Sequence, residues 1–287
     1  MNHTPIIATY SIVACDPQTG EIGVGVQSKF LAVGSVVPWA KAGVGAVATQ
    51  AFANPTYGPE GLRLLEEGKS VEEVADLLTS KDEQAEERQF GIVDAKGQAV
   101  SFTGQDCFDW AGGQTGKHYV AQGNILVSEE TVKHMGMAFE ETKGTLAERL
   151  LAGLKAAQEA GGDRRGKQSA ALYVVKEKGG YGGLSDTLVD LRVDEHAEPI
   201  KELERLLDLH SLYFGETKAE DIIQMEEVQD EVVEHLIRLG YLDHKPSTEQ
   251  ELMDTFTTYL YTENFEGREQ KQGLLDLKVL EYLKQQS

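Results

Sequence analysis

Two adjacent arginines stand in a glycine-flanked segment, Gly161-Gly162-Asp163-Arg164-Arg165-Gly166-Lys167-Gln168, just ahead of an apolar run. A guanidinium presents a planar fork that matches a carboxylate. Arg164 and Arg165, with Asp163 and Gln168 beside them, are therefore candidates for clamping an anionic group. A solvated charged turn is the competing reading, and the tendency of loops on rigid sheets to carry sites favours the clamp. A second set, Asp190, Arg192, Asp194 and His196, falls on alternate positions, which a continuing strand would put on one face. Two carboxylates and an imidazole could hold a cation there, but mutual ion pairs on an exposed face are the more ordinary outcome. Cys107 lies near Trp110 and Gly112-Gly113 without a histidine motif and reads as a buried thiol. His118 and His134 stand alone and no spacing fits a zinc site, so neither a metal nor a cofactor is expected.

These residues need elements to position them. Residues 9–14 form a β-rich run, Asp16-Pro17-Gln18-Thr19-Gly20 has turn chemistry, and residues 22–26 alternate with glycine, which predicts a hairpin. Residues 36–39 and 44–49 predict a second strand pair. Residues 90–93 and 99–102 flank Asp94-Ala95-Lys96-Gly97 as a further hairpin. Residues 119–126, 170–175 and 188–193 also read as strands. Helices are expected after Pro55 and Pro59 up to Gly68, from Ser70 with Glu73 as a capping box, and over 128–141, 146–160 and 199–212. Strand groups alternating with paired helices predict helices packed on sheet faces, an α/β architecture.

The composition changes after Gly215. Residues 216–287 carry 17 acidic against 7 basic side chains, a net of −10, and read as three helices over 219–239, 248–261 and 275–284. The expected division is therefore 1–215 and 216–287, the second part a small acidic helical module. The whole chain of 287 residues has a net charge of −21, which argues against nucleic acid and anionic membrane surfaces as partners. Two cysteines make no multi-bridge framework. With no basic stretch leading an apolar one at the start, the expected location is the cytoplasm. The glycine-rich apolar run 43–49 suits burial within one chain or at an interface, so a homo-oligomer stays open.

Several long motifs carry a family resemblance. They are Thr9-Tyr10-Ser11-Ile12-Val13-Ala14, Gly25-Val26-Gln27-Ser28-Lys29-Phe30, Val36-Val37-Pro38-Trp39-Ala40, and Gly43-Val44-Gly45-Ala46-Val47-Ala48-Thr49-Gln50. Asn54-Pro55-Thr56-Tyr57-Gly58-Pro59, Gln122-Gly123-Asn124-Ile125-Leu126, the arginine loop and Asp190-Leu191-Arg192-Val193-Asp194 follow in order. Over roughly residues 9–214 the chain resembles the domain of unknown function 1028 family. The tail, with Glu263-Asn264-Phe265-Glu266-Gly267-Arg268 and Leu275-Asp276-Leu277-Lys278-Val279-Leu280, resembles a domain assigned to peptidoglycan binding by analogy.

The resemblance implies the fold of N-terminal-nucleophile hydrolases, a four-layer αββα sandwich, followed by a small helical C-terminal domain. It also implies a mechanism. A hydroxyl or thiol at the mature N-terminus attacks an amide carbonyl, and its own α-amine, with a pKa of roughly 8, takes the proton. Thr9 matches the nucleophile position, Ser11 on the same strand face is the runner-up, and Ser28 and Lys29 match supporting positions. Asn124 and the backbone of residues 45–49 are candidates for the oxyanion hole. Thr49, Gln50, Asp163, Arg164, Arg165 and Gln168 would meet a small anionic amide or peptide-like substrate. A peptidoglycan fragment is the partner implied for the tail. Eight residues precede Thr9, and Asn2 is too large for simple removal of Met1, so the chemistry requires cleavage at Ala8-Thr9. Threonine also favours strands on its own account, which keeps open a structural Thr9 in a non-catalytic binding or scaffold protein.

Overall fold

Alternation along one strand organises the first part of the computed structural model, which describes residues 9–286. In β1 (Thr9–Asp16), Tyr10, Ile12 and Ala14 enter one apolar cluster while Val13 and Cys15 enter another. A strand points successive side chains to opposite faces, so both faces of β1 are covered and all but its last residue are buried. β2 (Glu21–Ser28) returns through the Asp16–Gly20 turn, pairing Thr9 with Ser28. Gly20 has φ +77, a backbone conformation that glycine adopts without strain.

The first sheet has six strands in the order β10-β9-β2-β1-β8-β7. β7 is Gly112–Gly116, β8 Tyr119–Gly123, β9 Ser169–Val175 and β10 Thr187–Val193. The second has four, in the order β3-β4-β5-β6: Pro38–Lys41, Gly45–Ala51, Arg88–Asp94 and Ala99–Thr103. The pairings are antiparallel throughout. β7 escaped the sequence reading because Gly-Gly-Gln-Thr-Gly has no apolar period to detect.

Helices supply the other surfaces. α1 (Tyr57–Glu66) and α2 (Val71–Thr79) bury Leu62, Leu65, Val74 and Leu78 with Val47, Phe90 and Ile92 of the second sheet. α2 starts where expected: Ser70 accepts from the Glu73 amide, and the Glu73 carboxylate accepts from the Ser70 amide. α3 (Glu130–Glu141) and α4 (Leu146–Glu159) bury Met135, Phe139, Leu150 and Leu154 with Tyr10, Ile12 and Leu172 of the first sheet. α4 opens with a second capping box, Thr145 with Glu148. Ile200, Leu203 and Leu207 of α5 (Pro199–Phe214) join the same cluster. A third cluster, with Val24, Val26, Val37, Ala46, Ala48 and Val120, draws on facing residues of both sheets.

The chain divides into two compact units, the first ending at Leu207 and the second starting at Asp208. The second has its own core of Val232, Leu236, Leu252, Phe256, Tyr259, Phe265, Val279 and Leu283. It is not purely helical, which corrects the expectation. α6 (Met225–Arg238), α7 (Glu249–Thr262) and α8 (Leu277–Gln285) are joined by β11 (Ile222–Gln224), paired with β12 (Leu274–Asp276). Three-residue strands are too short to display a period of two, so their pairing is a tertiary event. Among the described residues the largest fully buried side chain is Arg268, whose guanidinium meets Asp276 at 2.9 Å and donates to the carbonyls of Leu212 and Ser211. Asp276 also accepts from Thr217 at 2.6 Å and caps α8 through the Lys278 amide. The tail motifs around Arg268 and Asp276 therefore build a buried ion pair that closes the module's loops. Among the described residues no helix is long and apolar enough to cross a membrane.

Candidate functional site

Where β1 begins and β2 and β8 end, the interior between the sheets turns from apolar to polar. Thr9, Ser11, Ser28, Gln50, Gln89 and Gln122 are 0% exposed and Asn124 is 1% exposed. Burying amides and hydroxyls costs free energy unless they are hydrogen-bonded, and these bond one another. The Ser11 hydroxyl donates to Gln50 Oε1 at 2.6 Å and accepts from Gln122 Nε2 at 2.7 Å. Gln50 Nε2 donates to Gln89 Oε1 at 2.8 Å and to the Thr9 carbonyl at 3.3 Å. Asn124 Nδ2 donates to the same Gln89 oxygen at 2.9 Å. Gln89 Nε2 donates to the Gly123 carbonyl at 2.7 Å, to Thr103 at 3.0 Å and to the Gly112 carbonyl at 3.3 Å. Gly91 makes room for this layer: a Cβ there would lie 2.3 Å from Gln122 Oε1.

Thr9 opens β1 at one side of this layer. Its hydroxyl lies 3.1 Å from Ser28 Oγ, and its carbonyl accepts from the Asn124 amide at 3.0 Å. Ser11 sits deeper, and its proton is directed to a neutral carboxamide oxygen, which is no base. Lys29 does not enter the layer. Its side chain is exposed, its amide donates to Asp163 at 3.0 Å, and Nζ reaches the Lys167 carbonyl at 3.5 Å. An ammonium is strongly hydrated, and burial without a paired charge is costly. Thr49 is buried with its hydroxyl on the Asn54 carbonyl and its amide on that of Val37. The backbone run 45–49 lies in a central strand between β3 and β5, where the ladders occupy its amides.

Asp163 is 3% exposed and organises the arginine loop. It accepts the Lys29 amide and the Arg165 amide, and Arg165 closes a fork on it at 3.2 and 3.0 Å. The expected pair of clamps is thus reduced: Arg165 braces the loop, while Arg164 is exposed, with its amide on the Ile125 carbonyl. The Gln168 amide donates to the Ser28 carbonyl at 3.1 Å, tying the loop's end to β2. Burial, and secondarily the charge on Asp163, hold the Tyr10 hydroxyl protonated well above the usual phenol range. Asp190 and Arg192 form the exposed ion pair that the alternation suggested, at 2.8 and 3.1 Å, while His196 caps the Glu198 amide. No three of the described His, Cys, Asp and Glu residues gather as a metal site.

Residues 9–203 match a family described as "Family of unknown function (DUF1028)". The chain belongs to this family. A DUF1028 protein from Silicibacter pomeroyi of known crystal structure is similar, at 33% identity and a TM-score of 0.66, over 72% of this chain and 91% of that one. Residues 213–283 match a second family, described as "Putative peptidoglycan binding domain". A comparison with curated proteins finds no match.

Within the DUF1028 segment, the Asn54–Pro59 motif serves a partly buried salt bridge that sequence reasoning missed. Asn54 Nδ2 and the Tyr57 hydroxyl both donate to Asp82, at 3.2 and 2.9 Å, and Arg88 grips the same carboxylate at 2.9 and 3.3 Å. Arg88 above all, with the Gln84 amide, Tyr57 and Asn54, holds the Asp82 carboxyl well below the ordinary range. Gln89, the hub of the polar layer, was also missed. Its place in a strand gave no signal, because burial of one polar face depends on the facing sheet. Cys107 is half-buried rather than buried, with its thiol on the Arg88 carbonyl, and burial pushes its pKa up to about 11.

Proposed function

We propose that the DUF1028 unit is an amide-bond hydrolase of the N-terminal-nucleophile type, acting on a small anionic amide or peptide-like substrate. One observation carries this reading: Thr9 is the first residue of a central strand, with its hydroxyl beside Ser28 and its carbonyl held by Asn124 and Gln50 at a polar end of the inter-sheet space. The four-layer αββα sandwich belongs to the same proposal. Its support is the separation of the apolar residues into one cluster between the sheets and one under each helix pair.

The chemistry starts with cleavage of the Ala8-Thr9 bond, which frees an α-amine. That amine takes the proton from Thr9 Oγ1 as the oxygen attacks the substrate carbonyl, and returns it to the leaving nitrogen. Water, deprotonated by the same amine, then cleaves the Thr9 ester to release the acid and restore the hydroxyl. Ser28 holds the hydroxyl in place. Arg164 meets the anionic end of the substrate. While residue 9 remains in a peptide bond its nitrogen cannot accept a proton, so maturation is obligatory for this mechanism. Intact-mass measurement of the active protein tests it: the expected species begins at Thr9 and loses all turnover in Thr9→Ala. An active preparation that keeps residues 2–8 throughout would sink the idea.

A second reading, a non-catalytic binding or scaffold protein, is favoured by the mutual bonding of Ser11, Gln50, Gln89 and Gln122, which a purely structural layer would also show. Thr9→Ala separates the two, since a scaffold loses nothing measurable on a panel of amides. For the second unit we propose capture of a peptidoglycan fragment. Retention on purified peptidoglycan tests it, and passage of the whole chain through unretained counts against it.

A further inference from the structure

The hydrogen-bond directions in the polar layer are forced. Gln89 Nε2 faces the carbonyls of Gly123 and Gly112, and a carbonyl can only accept. Gln89 must therefore turn its oxygen toward Gln50 and Asn124, and both must present their nitrogens to it. Gln50 then offers its oxygen to Ser11, Ser11 donates, and Gln122 must donate to Ser11. The direction started at a backbone carbonyl leaves two acceptors over, Gln122 Oε1 and Asn124 Oδ1. Both are buried and have no hydrogen-bond partner among the described residues. Leaving a buried acceptor without a donor is costly, so such a group marks a place where a donor belongs.

Asn124 stands directly across from Thr9. Its amide donates to the Thr9 carbonyl, continuing the register in which Tyr10 faces Gly123. Side chains of directly opposed residues share a face of the sheet. We infer that Asn124 is a positioning residue whose Oδ1 accepts from the α-amine of Thr9 once the Ala8-Thr9 bond is cut. One Nδ2 hydrogen is taken by Gln89, and the inference gives Asn124 the acceptor role in place of the oxyanion-donor role that its amide first suggested. The inference rests on the N-terminal-nucleophile reading and gives Asn124 the opposite polarity within it. An acceptor at the ammonium favours the protonated form and aims the amine's lone pair when the proton leaves. Among the described residues, the charged groups on the elements near Thr9 include Lys29 just after β2, Asp163 with Arg164, Arg165 and Lys167 on the adjoining loop, and Arg88, which is bound to Asp82, on β5.

The test titrates the Thr9 α-amine in the mature full chain, after selective isotope labelling of that amine, in wild type, Asn124→Ala and Asn124→Asp. Loss of a hydrogen bond to a charged group should lower the amine's pKa by about one pH unit in Asn124→Ala, and a carboxylate should raise it by about as much in Asn124→Asp. The alkaline shift of the rate profile should follow the same signs. Thermal unfolding of each variant reports whether it folds, and Asn124→Asp carries the test if Asn124→Ala does not. An unchanged amine pKa, with turnover down by the roughly 100-fold or more expected for a lost oxyanion donor, would overturn the inference and leave the hydrolase reading intact. A mass that still contains residues 2–8 would overturn both, so the two failures are distinguishable.

Discussion

Gln89→Leu removes the hub of the polar layer at nearly constant volume. Three donor contacts of Nε2 disappear, and Gln89 Oε1 is withdrawn from Gln50 and Asn124. Gln50 keeps its 3.3 Å contact to the Thr9 carbonyl, but Asn124 Nδ2 loses its acceptor and the Gly123 carbonyl loses its 2.7 Å donor. Two stranded buried groups at about 2 kcal/mol each give a destabilisation of about 4 kcal/mol. For a unit of this size that corresponds to a fall in Tm of roughly 8–16 °C. Both tryptophans, Trp39 and Trp110, lie in the first unit, so their fluorescence during urea unfolding reports on that unit alone. Gln98→Leu on the exposed turn of the same hairpin makes the identical chemical change in water and should move stability by no more than about 0.5 kcal/mol. If the two variants unfold at the same urea concentration, Gln89 does not hold the layer and does not set the orientation of the Asn124 amide.

Three further outcomes follow from the geometry. Arg268→Ala leaves the Asp276 carboxylate buried without its partner and should destabilise the second unit by about 3–5 kcal/mol while tryptophan fluorescence of the first is unmoved; hydrogen exchange of α6 and α8 is the measurement. Because Arg88 and its neighbours depress the folded pKa of Asp82, its contribution is fully present above roughly pH 4 and is lost as pH falls below it. The stability gap between wild type and Asp82→Asn should therefore shrink on acidification, and a gap that widens below pH 4 contradicts the assignment. Burial lifts the Cys15 thiol to about 12 and that of half-buried Cys107 to about 11, so at pH 8 a disulfide reagent should label Cys107 slowly and Cys15 only on unfolding; labelling of Cys15 in the folded protein refutes this.

Local chemistry was legible in the sequence. The turn at Asp16–Gly20, the Asp94–Gly97 hairpin and the Ser70–Glu73 capping box are decided within a few residues, because each satisfies its own backbone donors. The β-rich run of residues 9–14 and the glycines around the arginine segment likewise placed Thr9 at a strand's start and Asp163 in a loop. What the strands meet was not legible. Gln50, Gln89 and Gln122 come from three strands of two sheets and Asn124 from the residue after β8, and no spacing along the chain reveals that their side chains converge in a dry layer. The same holds for Asp82 with Arg88 and Arg268 with Asp276, whose charges read as ordinary surface residues until burial and a partner are known. Sequence by itself determined the helices, the longer apolar strands and the order of the motifs, since these depend on neighbours in the chain. Only the tertiary structure decided the direction of each hydrogen bond and which acceptors were left without a donor, because that is settled by groups far apart in sequence competing for the same few atoms.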